Sequence, residues 1–229
     1  MTVDRQNRDR LVDAIRRYLA ETITAFEFDD EIFGISDNSA DPTIEHVTRG
    51  LWFLYDDCKD HKVVLSKEAW DYCQRLILLL KSDAHVETET RKRWSITQLV
   101  AGVAFFGFAV CAAQLGIGKH LFALAVPFGL VSIALSRLQE RSRRRIPESE
   151  EIAMMPFSRV SEICAIRRQV RHFSKWKYPA NLATRRIRSP AMNFALLLPF
   201  YSTWLMLSPV ALFVQMMPER EAQTRVVSC

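Results

Sequence analysis

The stretch Trp94–Gly118, WSITQLVAGVAFFGFAVCAAQLGIG, decides the fold: it runs 25 residues without a charged side chain. About 20 consecutive apolar residues carry a helix across the hydrocarbon core of a bilayer. Its small residues Gly102, Ala104, Gly107, Ala109, Ala112 and Ala113 suit close helix packing. A second run, Leu121–Ser136, holds 16 uncharged residues. It is short for a span, but Lys119 and His120 at one end and Arg137 at the other can snorkel to the interfaces. A third run, Ser189–Pro218, holds 30 uncharged residues, with Pro199 and Pro209 in its interior. One helix fits in it, and two full spans do not. Each internal proline removes a backbone hydrogen bond, which membrane helices tolerate. The expected element is a single kinked membrane helix, with a re-entrant or interfacial segment as the alternative. Soluble core helices rarely stay wholly apolar beyond about 14 residues. The remaining polar sequence is too small to cover three such runs.

Charge divides the chain. Net charge is +5 overall, from 31 Lys+Arg and 26 Asp+Glu. Residues 1–90 hold 11 basic and 19 acidic side chains, and the rest holds 20 and 7. This excludes a uniform globular domain, a disordered chain and a repeat array. Short loops rich in Lys and Arg stay cytoplasmic. Arg91, Lys92 and Arg93 precede the first run, and Arg137, Arg141, Arg143, Arg144 and Arg145 follow the second. The first two runs therefore read as a hairpin with both ends inside and a tight outer turn at Gly116–His120. Arg185, Arg186 and Arg188 precede the third run, while the charges after it cancel. A single crossing there puts the C-terminus outside, and a re-entrant segment returns it inside.

The expected fold is all-α: an acidic cytosolic helical domain (1–90), a transmembrane hairpin (91–137), a basic cytosolic amphipathic linker (138–188), a third membrane segment (189–218) and a short tail (219–229). The expected location is the plasma membrane, multi-pass, with a cytoplasmic N-terminus. The first residues, MTVDRQNRDR, lack the apolar core of a signal peptide. In the acidic domain, apolar spacing predicts helices over about 8–26, 41–58 and 66–82, capped by Asp41-Pro42 and by Ser66. Phe28–Ser36 shows no period and reads as a loop. Five cysteines, none spaced as CxxC, read as reduced thiols, with Cys58 and Cys73 on apolar helix faces.

The acidic domain holds one polar constellation. Asp56, Asp57, Asp60 and His61 cluster in sequence, with Glu45 and His46 upstream. Asp57 and His61 lie four apart, on one face of a continued helix. His46, Asp57 and His61 together form a candidate divalent-metal set, carboxylate plus imidazole, against the plainer reading of a solvated helix end. Trp52 and Trp70 read as packing residues. No phosphate-binding glycine motif, nucleophile elbow or kinase signature occurs, which argues against the commonest enzyme classes, and no cofactor is expected.

In the linker, Phe157, Val160, Ile163, Cys164, Ile166, Val170 and Phe173 mark an apolar face. Arg159, Arg167, Arg168, Arg171, Lys175 and Lys177 fill the rest. A basic amphipathic helix next to spans lies on the anionic inner leaflet. Docking onto the acidic domain is a second reading, and nucleic acid is disfavoured. The leading function is a membrane protein with a cytosolic interaction or sensing domain, which binds a protein partner through residues 1–90. One alternative is an oligomeric pore-forming or membrane-perturbing effector, with Gln98, Gln114, Asn193 and Gln215 as its few polar candidates. The other is a metal-dependent enzyme built on His46, Asp57 and His61.

Overall fold

The computed structural model of the chain describes residues 3–116, 118, 120–144, 155–157 and 159–227. Lys119, Arg145 and Cys229 lie outside the described residues. The protein is mostly helical, at 65% helix, with two strands among the described residues. It divides into two units. The first comprises Met1–Glu89, Ser149–Ile187 and Gln223–Cys229, and the second comprises Thr90–Glu148 and Arg188–Ala222.

The first unit begins with helix α1, Arg5–Leu19, whose N-cap Asp4 accepts from Asn7 N at 3.1 Å. Leu11, Ile15, Tyr18 and Leu19 form its buried face. The helix ends earlier than its apolar spacing implies, because Glu21 takes φ +61°, the left-handed conformation that stops a helix. Helix α2, Ala25–Asp37, then starts at Thr24. Thr24 N donates to Glu27 Oε2 at 2.9 Å, closing a capping box. The stretch expected as a loop is therefore helical, and Phe28, Ile32 and Ile35 bury its inner face. Helix α3, Pro42–Trp52, starts at Asp41 as expected but ends six residues before Cys58, which is exposed. Helix α4, Lys67–Lys81, is capped by Ser66 and buries Trp70, Cys73, Leu76, Ile77, Leu79 and Leu80.

One buried cation joins these helices. Arg8 is fully buried and meets Asp41 through Nε at 2.6 Å and Nη2 at 3.0 Å. Its Nη1 donates to the carbonyls of Ser82 and Ala84, both at 2.8 Å. Asp41 also caps α3, accepting from Thr43 N at 2.9 Å. Burial alone would raise the Asp41 carboxyl. The hydrogen bonds from Arg8 and Thr43 outweigh it and hold the group below the usual value of 3.8.

Of the segment expected as a basic linker (138–188), residues 149–187 belong to this first unit. Helix α7, Val160–Gln169, is short, and the chain beyond it is irregular apart from one 3-10 turn at Ala180–Leu182. Phe157, Ile166 and Leu182 are buried in the same core as α1–α4, with Ile163, Val170, Phe173 and Tyr178 packed against it. Two strands complete the fold: β1, His85–Arg93, pairs with β2, Glu219–Val227. The all-α expectation omitted this sheet.

In the second unit, α5, Ile96–Leu115, and α6, His120–Arg144, are long and apolar enough to cross a membrane. Only 11% of the α5 window and 22% of the α6 window is buried. Leu99, Val103 and Phe106 on α5 are each more than 60% exposed. An exposed apolar surface of this extent marks a membrane or protein contact. Between the helices Gly116 takes φ +75°. Gly129 lets α6 approach the next helix closely, since a Cβ there would lie 3.0 Å from Leu205 Cα.

The third apolar run is two helices, not one kinked helix. Helices α8, Pro190–Met206, and α9, Ser208–Gln215, meet at an 83° bend. Pro209 sits in the first turn of α9, where its missing N–H is an orphan anyway. It therefore starts a new helix and does not merely kink an old one. Ser208 Oγ donates to Ala125 O at 2.8 Å and fixes the corner to α6.

Removing one partner of the Arg8–Asp41 pair strands a buried charge. Asp41→Ala is expected to cost about 3–5 kcal/mol in denaturant unfolding of the full chain. The pair's contribution is present above pH 3.8 and is lost as pH falls through the lower folded value. The variant should accordingly show a flatter decline in stability over that acid range than the wild type.

Candidate functional site

The loop after α3 gathers the side chains that sequence singled out, and the structure gives most of them to the loop's own backbone. Phe53 ends the helix, and Tyr55 folds back into the core against Phe28, with ring centroids 5.7 Å apart. The Tyr55 hydroxyl donates to Asp29, and burial followed by that carboxylate pushes the phenol up. Asp56 accepts from Cys58 N at 2.9 Å, a local turn bond. Asp60 accepts from Phe26 N at 3.2 Å, and the His61 carbonyl accepts from Ala25 N at 2.9 Å. These two residues thus satisfy orphan donors at the start of α2.

His61 has no ring nitrogen left for a metal. Its Nε2 accepts from Asp56 N at 3.0 Å, and its Nδ1 donates to Lys62 O at 2.6 Å. His46 sits on α3, one element away. Burial, then the charge of Arg49, lowers its imidazole below the usual 6.5 and keeps it neutral. Among the described residues, the one group of ligand atoms within 4.8 Å of one another is Asp56, Asp57 and Cys58. It contains neither histidine. The structure therefore does not bring His46, Asp57 and His61 together. The helix on which Asp57 and His61 would share a face has already ended at Trp52.

What remains exposed at this corner is aromatic and acidic. Phe53 is 77% exposed and Trp52 43%, with the two rings edge to face at 5.2 Å. Trp52 is therefore not a core residue. Trp70 is: it is buried, and its Nε1 donates to Trp176 O at 3.1 Å. Asp57 and Asp60 are exposed nearby in sequence. The signal for the aromatic pair was present, since Trp52 and Phe53 fall beside the apolar stripe Ile44, Val47, Leu51 and not on it.

The basic segment is held by α4. Trp176 N donates to Gln74 Oε1 at 3.0 Å, Tyr178 OH to Leu65 O at 3.0 Å, and Lys175 pairs with Asp71 at 2.8 Å. Arg16 lies over the Trp176 ring at 5.8 Å, and Arg185 pairs with Glu21. Arg159, Arg167, Arg168, Arg171, Lys175 and Lys177 all stay exposed. Of the apolar face beneath them, Phe157, Ile163, Ile166, Val170 and Phe173 pack on protein, while Val160 and Cys164 stay exposed.

In the second unit the polar side chains of the spans are spent on packing. Gln98 accepts from Ser95 N at 2.7 Å and donates to Arg93 O at 3.2 Å, capping α5. Gln215 Nε2 donates to Ser132 O at 3.1 Å and Ser136 Oγ at 2.7 Å, and its Oε1 accepts from Ser132 Oγ at 3.0 Å. Trp204 Nε1 donates to Ser132 Oγ at 3.1 Å. These bonds lock α8 and α9 to α6. Gln114 is exposed, and the Asn193 side chain lies outside the described residues.

Comparison with protein-family models, curated proteins and solved structures finds no match for the chain.

Thiol chemistry checks the burial described here. Cys58 and Cys164 are exposed, whereas Cys73 is buried and its thiol is pushed up to about 12 by burial. In the native full chain at neutral pH, maleimide should modify Cys58 and Cys164 and spare Cys73 until denaturant is added. Peptide mapping by mass spectrometry reads the outcome.

Proposed function

We propose that the protein is an integral membrane protein whose first unit is a helical interaction module displayed on one face of the bilayer. The observation that carries the interaction role is the exposed Trp52–Phe53 pair, followed in sequence by the exposed carboxylates Asp57 and Asp60. Large aromatic side chains exposed on a well-packed body are typical binding hot spots. The flanking carboxylates favour a partner segment that is apolar and basic.

The chain path supports the one-sided display. The first unit is built from three chain segments, so the chain leaves it at Glu89 and at Ile187 and rejoins it both times. A stretch that begins and ends in one body crosses a bilayer an even number of times. For residues 90–148 that number is two, through α5 and α6. For residues 188–222 the 83° bend between α8 and α9 favours zero, a re-entrant pair that dips in and returns, over a broken span. This reading replaces the single third crossing and brings β2 back to the face of β1. The basic residues Arg91, Lys92 and Arg93 before α5 and Arg137 at the end of the α6 apolar run assign that face to the cytosol. The metal-enzyme and pore readings find less support, since His61 and Gln215 are committed to internal hydrogen bonds.

Replacing Phe53 with a photo-crosslinking phenylalanine analogue in the full chain, in native membranes, tests the module. The expected result is a discrete protein adduct that Asp57→Lys/Asp60→Lys reduces by at least about threefold, the size of a modest electrostatic contribution. Adducts to lipid alone, or an adduct indifferent to those charges, contradict it.

A further inference from the structure

We propose that a cavity in the second unit, between α6 and α8, binds the phosphate group of an anionic phospholipid, with Arg137 and Tyr201 as its ligands. This rests on the reading of α5 and α6 as membrane spans. The cavity measures about 190 Å³ and is lined by Ile133, Ser136, Arg137, Phe200, Tyr201 and Trp204. A single water occupies about 30 Å³, so the space suits a larger group.

Its depth follows from the sequence. Arg137 is the first charge after the uncharged run Leu121–Ser136, near the end of the apolar window His120–Gln139. A guanidinium there can reach the level of lipid headgroups by snorkelling, and Tyr and Trp side chains favour the same level. Basic pockets between membrane helices are recurrent headgroup sites.

The chemistry then selects an anion. Arg137 Nη2 donates to the Tyr201 hydroxyl at 3.1 Å, a neutral partner that orients the guanidinium, and among the described residues no carboxylate pairs with it or lines the cavity. The remaining donors of the planar fork match two oxygens of a phosphate. Tyr201, which accepts from Arg137, retains its own O–H to donate to a third. Ser136 is not a ligand: its hydroxyl donates to Ser132 O at 3.1 Å and accepts from Gln215 Nε2 at 2.7 Å.

The rest of the wall suits an acyl chain. Phe200 and Trp204 stack with centroids 5.9 Å apart and an interplanar angle of 28°. The bond from Trp204 Nε1 to Ser132 Oγ fixes that surface before any ligand arrives. A charged fork at headgroup depth above a flat aromatic wall fits a phosphate esterified to a lipid better than a free phosphate.

The test titrates the full chain in detergent with phosphatidylglycerol, phosphatidylcholine and glycerol phosphate, reading occupancy by native mass spectrometry. Arg137→Gln should weaken phosphatidylglycerol binding roughly tenfold, the size of one charge-assisted hydrogen bond. Tyr201→Phe, which removes one oxygen and keeps the packing, should weaken it about threefold. Arg186→Gln removes an exposed charge outside the cavity and should bind as the wild type does. Unchanged binding by Arg137→Gln and Tyr201→Phe overturns the site, as does an equal loss in Arg186→Gln. Glycerol phosphate binding as tightly as the lipid overturns the lipid as its source. In a parallel arm, wild type in phosphatidylcholine vesicles is washed with alkaline carbonate. Extraction there refutes the membrane reading itself, whereas retention without headgroup preference refutes only the lipid site.

Discussion

A buried guanidinium organises the first unit. Arg8 stands in α1 and spends its donors on the cap residue of α3 and on two carbonyls just past the end of α4. An unpaired charge in that position would cost several kcal/mol, so the three helices can close only in the register that supplies all these acceptors. The same contacts fix where the chain leaves the unit. Ser82 and Ala84 are held by Arg8, and Val86 N donates to Thr43 Oγ1 at 3.2 Å. The first residues of β1 are thereby set, and β1 receives β2 from the far end of the sequence. A single ion pair thus governs both the core and the exit toward the membrane helices.

The second unit obeys a different solvent. Its helices expose Leu, Val and Phe outward and keep their few polar side chains for one another. Gln215, Ser132, Ser136 and Trp204 form a closed set of hydrogen bonds at the corner where α9 turns back along α6. In hydrocarbon an unmet polar group is costly, so such a set holds the bend as firmly as apolar packing would. A bend of this size is what the proposed re-entrant path of the third apolar run requires.

Sequence reading succeeded where local rules dominate. The apolar helices α5 and α6 follow from unbroken apolar length, and the starts of α3 and α4 follow from Asp41-Pro42 and Ser66. It failed where distant residues decide. Thr24 and Glu27 form a capping box that marks α2, but the helix lacks a clean apolar period and read as a loop. The strands His85–Arg93 and Glu219–Val227 pair across most of the chain, and alternation in so polar a stretch is weak alone. The bend at Leu207 depends on Ser208 reaching Ala125 and on Gln215 reaching Ser132, neither visible in the run itself. The candidate site divides in the same way. His61 looked like a ligand because its type and spacing fit, yet both ring nitrogens serve the loop backbone. Arg137 was legible only as a snorkelling charge, and its place in a cavity depends on Tyr201, which lies on another helix.

The central claim is that the third apolar run returns to the face it started from. Single cysteines at Ala183→Cys and Met217→Cys, in a chain otherwise free of cysteine, bracket that run, and Gln114→Cys marks the opposite end of α5. Labelling with a membrane-impermeant maleimide from each face of sealed membranes reads their sides. The account predicts that positions 183 and 217 react from one face and position 114 from the other. Reaction of 183 and 217 from opposite faces would make the run a true crossing and would contradict the one-sided architecture.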